Sequence, residues 1–367
     1  MRCLCLLPWL VLATAGPVQA NPEVRVRIAE QVSSVVLGGS GLSVQDRPVA
    51  ASELRAEAIG GEVRVAHVAS RAPVQVKASG EIEVDGRFWP GDLSLVPRPD
   101  GTMDVVNVVP LEAYVEQTVA GEVYADWPEE ALKAQAVVTR TYALHERTRR
   151  QGEPFDLEAS VISQRYTTRP APGRVRRAVA ATRGEYISYQ EKPILAAFHA
   201  SSGGRTASAQ EVWGAGLPYL QRLTSPDDAS PDHFWSFEIP TRDLLAALSE
   251  AGLPVGSSPT VRVLQRSPSG RVRQLQIGDA RLSGRELRQV LGGRAIRSAL
   301  FEVRLIDDRV RFLGSGSGHG VGLSQWGARE LALRGKSYRA ILDHYYPGVA
   351  HAKLPARDRA LPASGAP

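Results

Sequence analysis

The chain has 367 residues, of which 43% are hydrophobic and 23% charged, and its formal net charge is +5. This length suits one large domain or two ordinary ones, and the composition excludes a collagen-like fibre, a wholly disordered chain and a disulfide-stapled miniprotein. The modest positive charge comes without a recognisable nucleic-acid-binding motif, so we expect no nucleic-acid partner. A solvated basic face and an anionic polymer partner are the two remaining explanations of the charge.

Residues 1–20 predict a secretory signal peptide, because Arg2 precedes an apolar run over residues 3–15 that ends in small residues. This run is shorter than the roughly 20 residues that a membrane span needs, which disfavours the alternative of an uncleaved anchor. Cleavage would remove both cysteines, Cys3 and Cys5. We therefore expect an exported protein, in the periplasm, the cell wall or outside the cell, with no membrane span, thiol catalyst or disulfide.

Residues 21–106 predict an antiparallel β region, because short stretches such as 24–28 and 62–65 alternate between apolar and polar residues. Turn pairs such as Gly60-Gly61 separate the stretches.

Two helices are predicted next. The first covers residues 110–120 and is expected to end at Gly121 in a left-handed conformation. Asp126 and Glu129 have the spacing of a capping box for a second helix, which runs to about residue 149. This pattern places Glu122 in the short connection between the helices.

The remaining predicted elements alternate between helices and β segments. They are a helix over 175–182, a hairpin of 186–189 and 194–199, a helix over 240–252, a β-rich stretch over 260–313 with a helix near 285–291, a glycine/serine run over 314–322, and helices over 325–334 and 338–345. The Pro/Ala-rich residues 351–367 predict a disordered tail.

Most common catalytic motifs are absent from the sequence. No G-x-S-x-G surrounds Ser201 or Ser202, no H-E-x-x-H occurs, and the glycine run lacks the ending of a phosphate-binding loop. A zinc site built from His199, His319 and a carboxylate stays open as a minor alternative.

These exclusions leave acid catalysis by a carboxyl side chain as a possible chemistry. Glycosidic bond cleavage needs a proton donor, and a glutamic acid with a raised pKa can supply it. Glu122 has the apolar neighbours Val123, Tyr124 and Trp127 that would favour such a pKa. From pattern alone, a glutamate in this position is more often a surface turn residue.

Three stretches in order carry a family resemblance. Residues 107–142 read NVVPLEAYVEQTVAGEVYADWPEEALKAQAVVTRTY, residues 199–213 read HASSGGRTASAQEVW, and residues 318–348 read GHGVGLSQWGARELALRGKSYRAILDHYYPG. Together they resemble the bacterial family of sporulation stage II protein D and the amidase enhancer LytB. That family includes peptidoglycan lytic transglycosylases, which cut peptide-free glycan strands.

The resemblance implies an acid/base catalyst at Glu122. The family's glutamate precedes Met-Pro or a similar pair, whereas here Val123 and Tyr124 follow. The expected reaction cleaves between N-acetylmuramic acid and N-acetylglucosamine and leaves 1,6-anhydro ends. Some family members hold zinc through Cys and His ligands, and because this chain has no Cys there, we expect neither a metal nor another cofactor.

The resemblance also implies an α+β fold in which β-rich N-terminal and middle segments and a helical segment form a two-lobed substrate cleft. The expected organisation is a signal peptide (1–20), a β-rich N-terminal region (21–106), a catalytic core (107–237), a β-rich middle region (238–313), a glycine-rich loop with C-terminal helices completing the core (314–350), and the tail (351–367).

Residues at family motif positions are the expected substrate-binding residues. They are Arg140, Tyr142, Gln164, Tyr166, His199, Ser201, Ser202, His319, Ser324 and Gln325. The expected partners are peptidoglycan glycan strands and a cell-wall amidase.

Two other functions remain open from the sequence. One is a non-catalytic peptidoglycan-binding enhancer of a separate amidase. The other is a glycan hydrolase that uses a second carboxylate such as Glu211 or Asp126.

Overall fold

The computed structural model describes residues 22–159, 164–256 and 260–355. The predicted signal peptide and residues 356–367 of the predicted tail lie outside these ranges. Within the described ranges, no helix has the length and apolar composition needed to traverse a bilayer.

The N-terminal region is built from antiparallel strands, as predicted. The strands are β1 (Glu23–Val32), β2 (Ser34–Gly38), β3 (Ser43–Val44), β4 (Arg47–Pro48), β5 (Glu53–Ile59), β6 (Glu62–Val65), β7 (Val68–Ser70), β8 (Val74–Lys77), β9 (Ile82–Val84), β10 (Arg87–Trp89), β11 (Asp92–Pro97) and β12 (Met103–Pro110). They form two sheets, in the orders β1-β12-β11-β8-β3-β4 and β10-β9-β2-β5-β6-β7. Alternate residues such as Val24, Val26, Val35 and Leu37 point into one core that both sheets share.

Helices follow directly on β12. They are α1 (Leu111–Glu122), α2 (Glu129–Arg149) and, after the short strand β13 (Leu157–Glu158), α3 (Gly173–Ala181). Strand β13 adds to the first sheet in parallel with β1. The predicted capping box is wrong: α2 begins after Pro128, which is its N-cap, and no side chain caps it. The fixed φ of proline, here −52°, already suits the entry into a helix.

The predicted left-handed cap at Gly121 is also wrong. Helix α1 continues through Gly121 to Glu122, and its C-cap is the extended residue Val123. Glu122 is therefore the last residue of a helix and does not lie in the connection between helices.

The next segment is less regular than predicted. It contains β14 (Glu185–Tyr189), β15 (Lys192–Pro193), β16 (Phe198–His199) and α4 (Ala209–Trp213). Strands β14 and β15 form a hairpin around Gln190 and Glu191, but its second strand lies at Lys192–Pro193 and not at the predicted residues 194–199. The N–H groups of Ala196 and Ala197 instead donate to the carbonyl groups of Ile194 and Leu195, two residues back. These local bonds replace a strand ladder.

The middle region confirms the predicted alternation of strands and helices. Its elements are β17 (Trp235–Pro240), α5 (Thr241–Glu250), β18 (Val261–Arg266), β19 (Val272–Ile277), β20 (Ala280–Leu282), α6 (Gly284–Leu291), β21 (Phe301–Ile306) and β22 (Arg309–Gly314). They form the sheets β17-β22-β21 and β18-β19-β20. A separate core that includes Trp235, Leu275 and Phe312 joins them.

The chain then returns to α2. Strand β23 (Leu323–Ser324) pairs in parallel with β16, helices α7 (Gln325–Leu333) and α8 (Tyr338–Tyr345) follow, and β24 (Ala350–Lys353) pairs with β14. Small residues such as Ala134 let α2 pack against Leu323 and Ile341 in one core. Residues 351–353 are thus ordered by pairing with β14, although the Pro/Ala-rich composition predicted disorder from residue 351. The mixed helices and strands confirm the α+β class.

Candidate functional site

A cavity of about 730 Å³ lies between the end of α1, the segment before β16, α4, the middle region and the start of α7. Five of the predicted site residues line it. They are Glu122, Tyr142, His199, His319 and Gln325.

Glu122 sits on the cavity wall in surroundings that oppose its ionisation. Its side chain is half-buried, and this burial raises the pKa of the carboxyl above the usual glutamate value. The position at the C-terminus of α1 acts in the same direction, because the free carbonyl groups of a helix end repel a negative charge.

Two groups nevertheless favour the Glu122 carboxylate. The backbone N–H of Arg165 donates to its Oε1 at 2.6 Å, and the Gln325 side chain on the same cavity wall also lowers the pKa of the carboxyl. Both favour the ionised form, but their effect on the pKa is smaller than that of burial. The site can therefore hold the carboxyl protonated and still stabilise it after the proton leaves.

Gly121 makes the contact with Arg165 possible. A Cβ atom on Gly121 would collide with the carbonyl oxygen of Arg165. The glycine is needed for the close approach of another backbone segment and not for a left-handed turn.

Gln325 links Glu122 to helix α2. Its Nε2 donates to Oε1 of Gln135 at 3.4 Å, and Nε2 of Gln135 donates to the Thr139 hydroxyl at 3.3 Å. This chain of side chains fixes the orientation of the Gln325 amide beside Glu122.

Two neutral histidines form another part of the wall. The His199 and His319 rings lie 5.5 Å apart. Burial lowers the pKa of His319 to about 4 and that of His199 well below its usual value, and nearby Arg271 adds to both shifts. His199 Nδ1 lies 3.1 Å from the carbonyl oxygen of Val321, whereas His319 Nδ1 accepts from the Val321 N–H at 3.0 Å. In these neutral rings the two hydrogen bonds assign opposite tautomers: His199 carries its proton on Nδ1, and His319 carries its proton on Nε2.

Glu211 also lines the cavity, but its oxygens are already engaged. It closes a capping box with Ser208 at the start of α4, and its Oε2 accepts from the Ser269 N–H at 2.8 Å. Burial alone would raise the pKa of Glu211, but hydrogen bonds from Ser269, Ser267 and Ser208 outweigh it and lower the pKa. Asp126, the other carboxylate considered for a hydrolase, is exposed and does not line the cavity.

Three predicted binding residues converge on one carboxylate away from the cavity wall. The hydroxyl groups of Ser201, Ser202 and Ser324 donate to Oδ2 of Asp227 at 3.1, 2.7 and 2.8 Å. Asp227 is fully buried and also accepts from the Gly204 N–H. The structure therefore gives these serines the role of joining the 201–204 segment to β23.

Arg140, Gln164 and Tyr166 are buried elsewhere. Arg140 forms a bidentate pair with Glu112, with both N···O distances 2.8 Å. Gln164 accepts from the Tyr114 hydroxyl, and Tyr166 donates to the Asn107 side chain, each at 2.7 Å. None of these three side chains lines the cavity.

Sequence reasoning missed the basic part of the wall, which the middle region supplies. Its arginines are Arg271, Arg273, Arg285 and Arg288. Two signals could have found them. Arg271 and Arg273 are two residues apart in a predicted strand, and Arg285 and Arg288 are three residues apart in a predicted helix, so each pair lies on one face of its element. Among the described residues, no group of three His, Cys, Asp or Glu side chains is arranged to hold a metal ion.

Comparison with known proteins gives two family matches. A model described as Stage II sporulation protein matches residues 99–189, and one described as a domain of unknown function matches residues 220–322. Glu122 and Arg165 fall within the first match, and Arg271 and His319 fall within the second.

Similar proteins carry related names. Stage II sporulation protein D of Bacillus amyloliquefaciens is 33% identical over 264 residues, which cover 66% of this chain and 74% of the relative. The Bacillus subtilis (strain 168) protein of the same name is 31% identical over 263 residues, covering 66% and 75%. An amidase enhancer of Bacillus subtilis (strain 168) is 27% identical over 328 residues, covering 76% of this chain but only 46% of the relative.

Proposed function

The chain belongs to the stage II sporulation protein D family, and from that premise we propose that it is an exported peptidoglycan lytic transglycosylase with Glu122 as acid and base. The single observation that supports this most is the state of Glu122: a carboxyl with a raised pKa on the wall of a large cavity, held by a hydrogen bond from the Arg165 N–H. A general acid at neutral pH needs such a pKa.

The proposed reaction uses this carboxyl twice. Protonated Glu122 donates its proton to the oxygen between N-acetylmuramic acid and N-acetylglucosamine as that bond breaks. The Arg165 N–H and the Gln325 amide stabilise the carboxylate that results. The carboxylate then takes the proton of the muramic C6 hydroxyl, whose oxygen attacks the anomeric carbon and closes a 1,6-anhydro ring.

One carboxylate suffices in this scheme because the substrate supplies the nucleophile, whereas a hydrolase needs a second carboxylate for water or for covalent attack. The engagement of both Glu211 oxygens supports the transglycosylase over the hydrolase. The neutral imidazoles of His199 and His319 would offer hydrogen bonds to sugar hydroxyl and acetamido groups without adding charge.

A second proposal follows from the name of one relative. The similarity to an amidase enhancer favours a non-catalytic role in which the chain binds peptidoglycan and stimulates a cell-wall amidase. The two roles differ in whether Glu122 is needed.

Product analysis separates these functions. Peptide-free glycan strands are incubated with the protein lacking residues 1–20, and mass spectrometry identifies the new chain ends. Anhydro ends support the transglycosylase, reducing ends support the hydrolase, and intact strands contradict both. Stimulation of an added amidase by the Glu122→Gln variant at the wild-type level would support the enhancer.

A further inference from the structure

The basic part of the cavity wall has charges that no protein carboxylate balances directly. Between residues 267 and 299, the wall carries Arg271, Arg273, Arg285 and Arg288 and no acidic residue. Within the part of the chain that the structure describes, none of these four arginines lies within 4.0 Å of a carboxylate oxygen.

Arg271 is the buried member of this set. Only 5% of its surface is exposed, and its two terminal nitrogens donate to the carbonyl groups of Ser202 and Arg205. Its Nε has no hydrogen-bond partner among the described residues. Burial lowers the pKa of Arg271 to about 10, although the charges of Glu211 and Asp227, neither within 4.0 Å, act in the opposite direction.

A buried cation with an unpartnered Nε and no paired carboxylate is costly, and an anion that enters the cavity would reduce that cost. Carboxylates match guanidinium groups well, because a planar fork of donors meets two acceptor oxygens. The exposed Arg273 and Arg285 at the same wall would attract anions from the solvent towards the cavity.

We propose that Arg271, Arg273, Arg285 and Arg288 form a carboxylate subsite that binds the free lactyl carboxylate of N-acetylmuramic acid. This inference rests on the proposed function and assigns to the middle region the choice of substrate. In a strand that still carries stem peptides, the lactyl carboxyl is an amide and has no charge. The subsite therefore selects glycan from which the peptides have been removed.

The experiment measures binding and not cleavage, so that it is independent of turnover. The Glu122→Gln protein is titrated into three fluorescently labelled strands: peptide-free strands, the same strands with every carboxyl converted to a methylamide, and strands with intact stem peptides. An Arg273→Gln/Arg285→Gln double substitution is added to test the subsite, since both side chains are exposed. The matched control is Arg281→Gln/Arg304→Gln, which removes two exposed arginines from the same region but away from the cavity.

We expect peptide-free strands to bind about tenfold more tightly than methylamide strands, as for one charge-assisted pair. The cavity double variant should lose this preference and the control should keep it. Equal binding of the two strands, or a preference that survives in the cavity variant, overturns the subsite and leaves the proposed function standing. Tight binding of peptide-bearing strands overturns the lactyl assignment, because peptide carboxylates would then be the ligand. Failure to bind any strand overturns both proposals.

Discussion

At the scale of single residues, the proposed activity depends on Glu122. Burial and the helix end both oppose its charge, while the Arg165 N–H and Gln325 support it. A carboxyl balanced in this way is suited to release and recover a proton within one reaction.

The raised pKa of Glu122 predicts a pH-dependent stability. Between the unfolded glutamate pKa of about 4.3 and the higher folded pKa, the native state binds more protons than the unfolded state. Stability therefore falls as pH rises through this window. We expect Glu122→Gln, which cannot ionise, to raise the melting temperature relative to wild type by an amount that is small at pH 4 and grows towards pH 7.

A residue with the opposite shift serves as the control for this measurement. Hydrogen bonds from the Ser283 backbone and side chain lower the pKa of Glu286, so Glu286→Gln should destabilise the protein more at pH 7 than at pH 4. A Glu122→Gln variant that loses stability relative to wild type as pH rises would contradict the assigned environment of Glu122.

At the scale of elements, the end of α1 sets the position of the carboxyl. Gly121→Ala removes a poor helix former, which alone would stabilise α1 by about 1 kcal/mol. The methyl group of the new alanine would displace the Arg165 carbonyl, and with it the Arg165 N–H that donates to Glu122. We expect glycan cleavage to fall at least about tenfold, in line with the loss of one hydrogen bond to a charged group.

The control for Gly121→Ala is Gly173→Ala in α3, where an added Cβ finds only ordinary contacts beyond 3.4 Å. That variant should keep wild-type activity. Wild-type activity in Gly121→Ala would show that the Arg165 contact does not matter for Glu122.

Arg140 ties α1, α2 and β14 together. It pairs with Glu112 on α1 and donates to the Glu185 carbonyl on β14. Arg140→Met leaves the buried Glu112 charge without its partner, so we expect the free energy of unfolding in urea to fall by about 3–5 kcal/mol. The double variant Arg140→Met/Glu112→Leu should recover much of this loss. If Arg140→Met instead weakened glycan binding at unchanged stability, the sequence-based role in substrate binding would be restored.

The elements were largely predictable from sequence, and their contacts were not. Periodicity identifies α1, α2 and the strands of the middle region because it reflects local backbone geometry. The spacing of Asp126 and Glu129 did not reveal that Pro128 would take the N-cap, and Gly121 gave no sign that Arg165 packs against it. Such contacts join residues distant in sequence, where no local pattern exists.

The same limit applies to the candidate site. The family motifs located Glu122, His199, His319 and Gln325, which all reach the cavity wall. Motif position could not separate these from the three serines around Asp227, because residues that line the cavity and residues that support its wall occur in the same motifs.

At the scale of the whole molecule, the cavity is assembled from distant parts of the chain. Helix α1 supplies Glu122, the middle region supplies the arginines, and the returning C-terminal segment supplies His319 and Gln325. Strand β23 pairs with β16, and helices α7 and α8 pack on α2, which brings Gln325 beside Glu122. The proposed activity is therefore a property of the complete fold.

The most direct test compares two half-buried glutamates of α1. Burial raises the pKa of both Glu116 and Glu122, but only Glu122 lines the cavity. The measurement is the rate at which anhydro ends form on peptide-free glycan strands, read by mass spectrometry for wild type, Glu122→Gln and Glu116→Gln. We predict a loss of about 10²–10⁴-fold for Glu122→Gln and a wild-type rate for Glu116→Gln. Anhydro ends formed by Glu122→Gln at the wild-type rate would contradict the central claim.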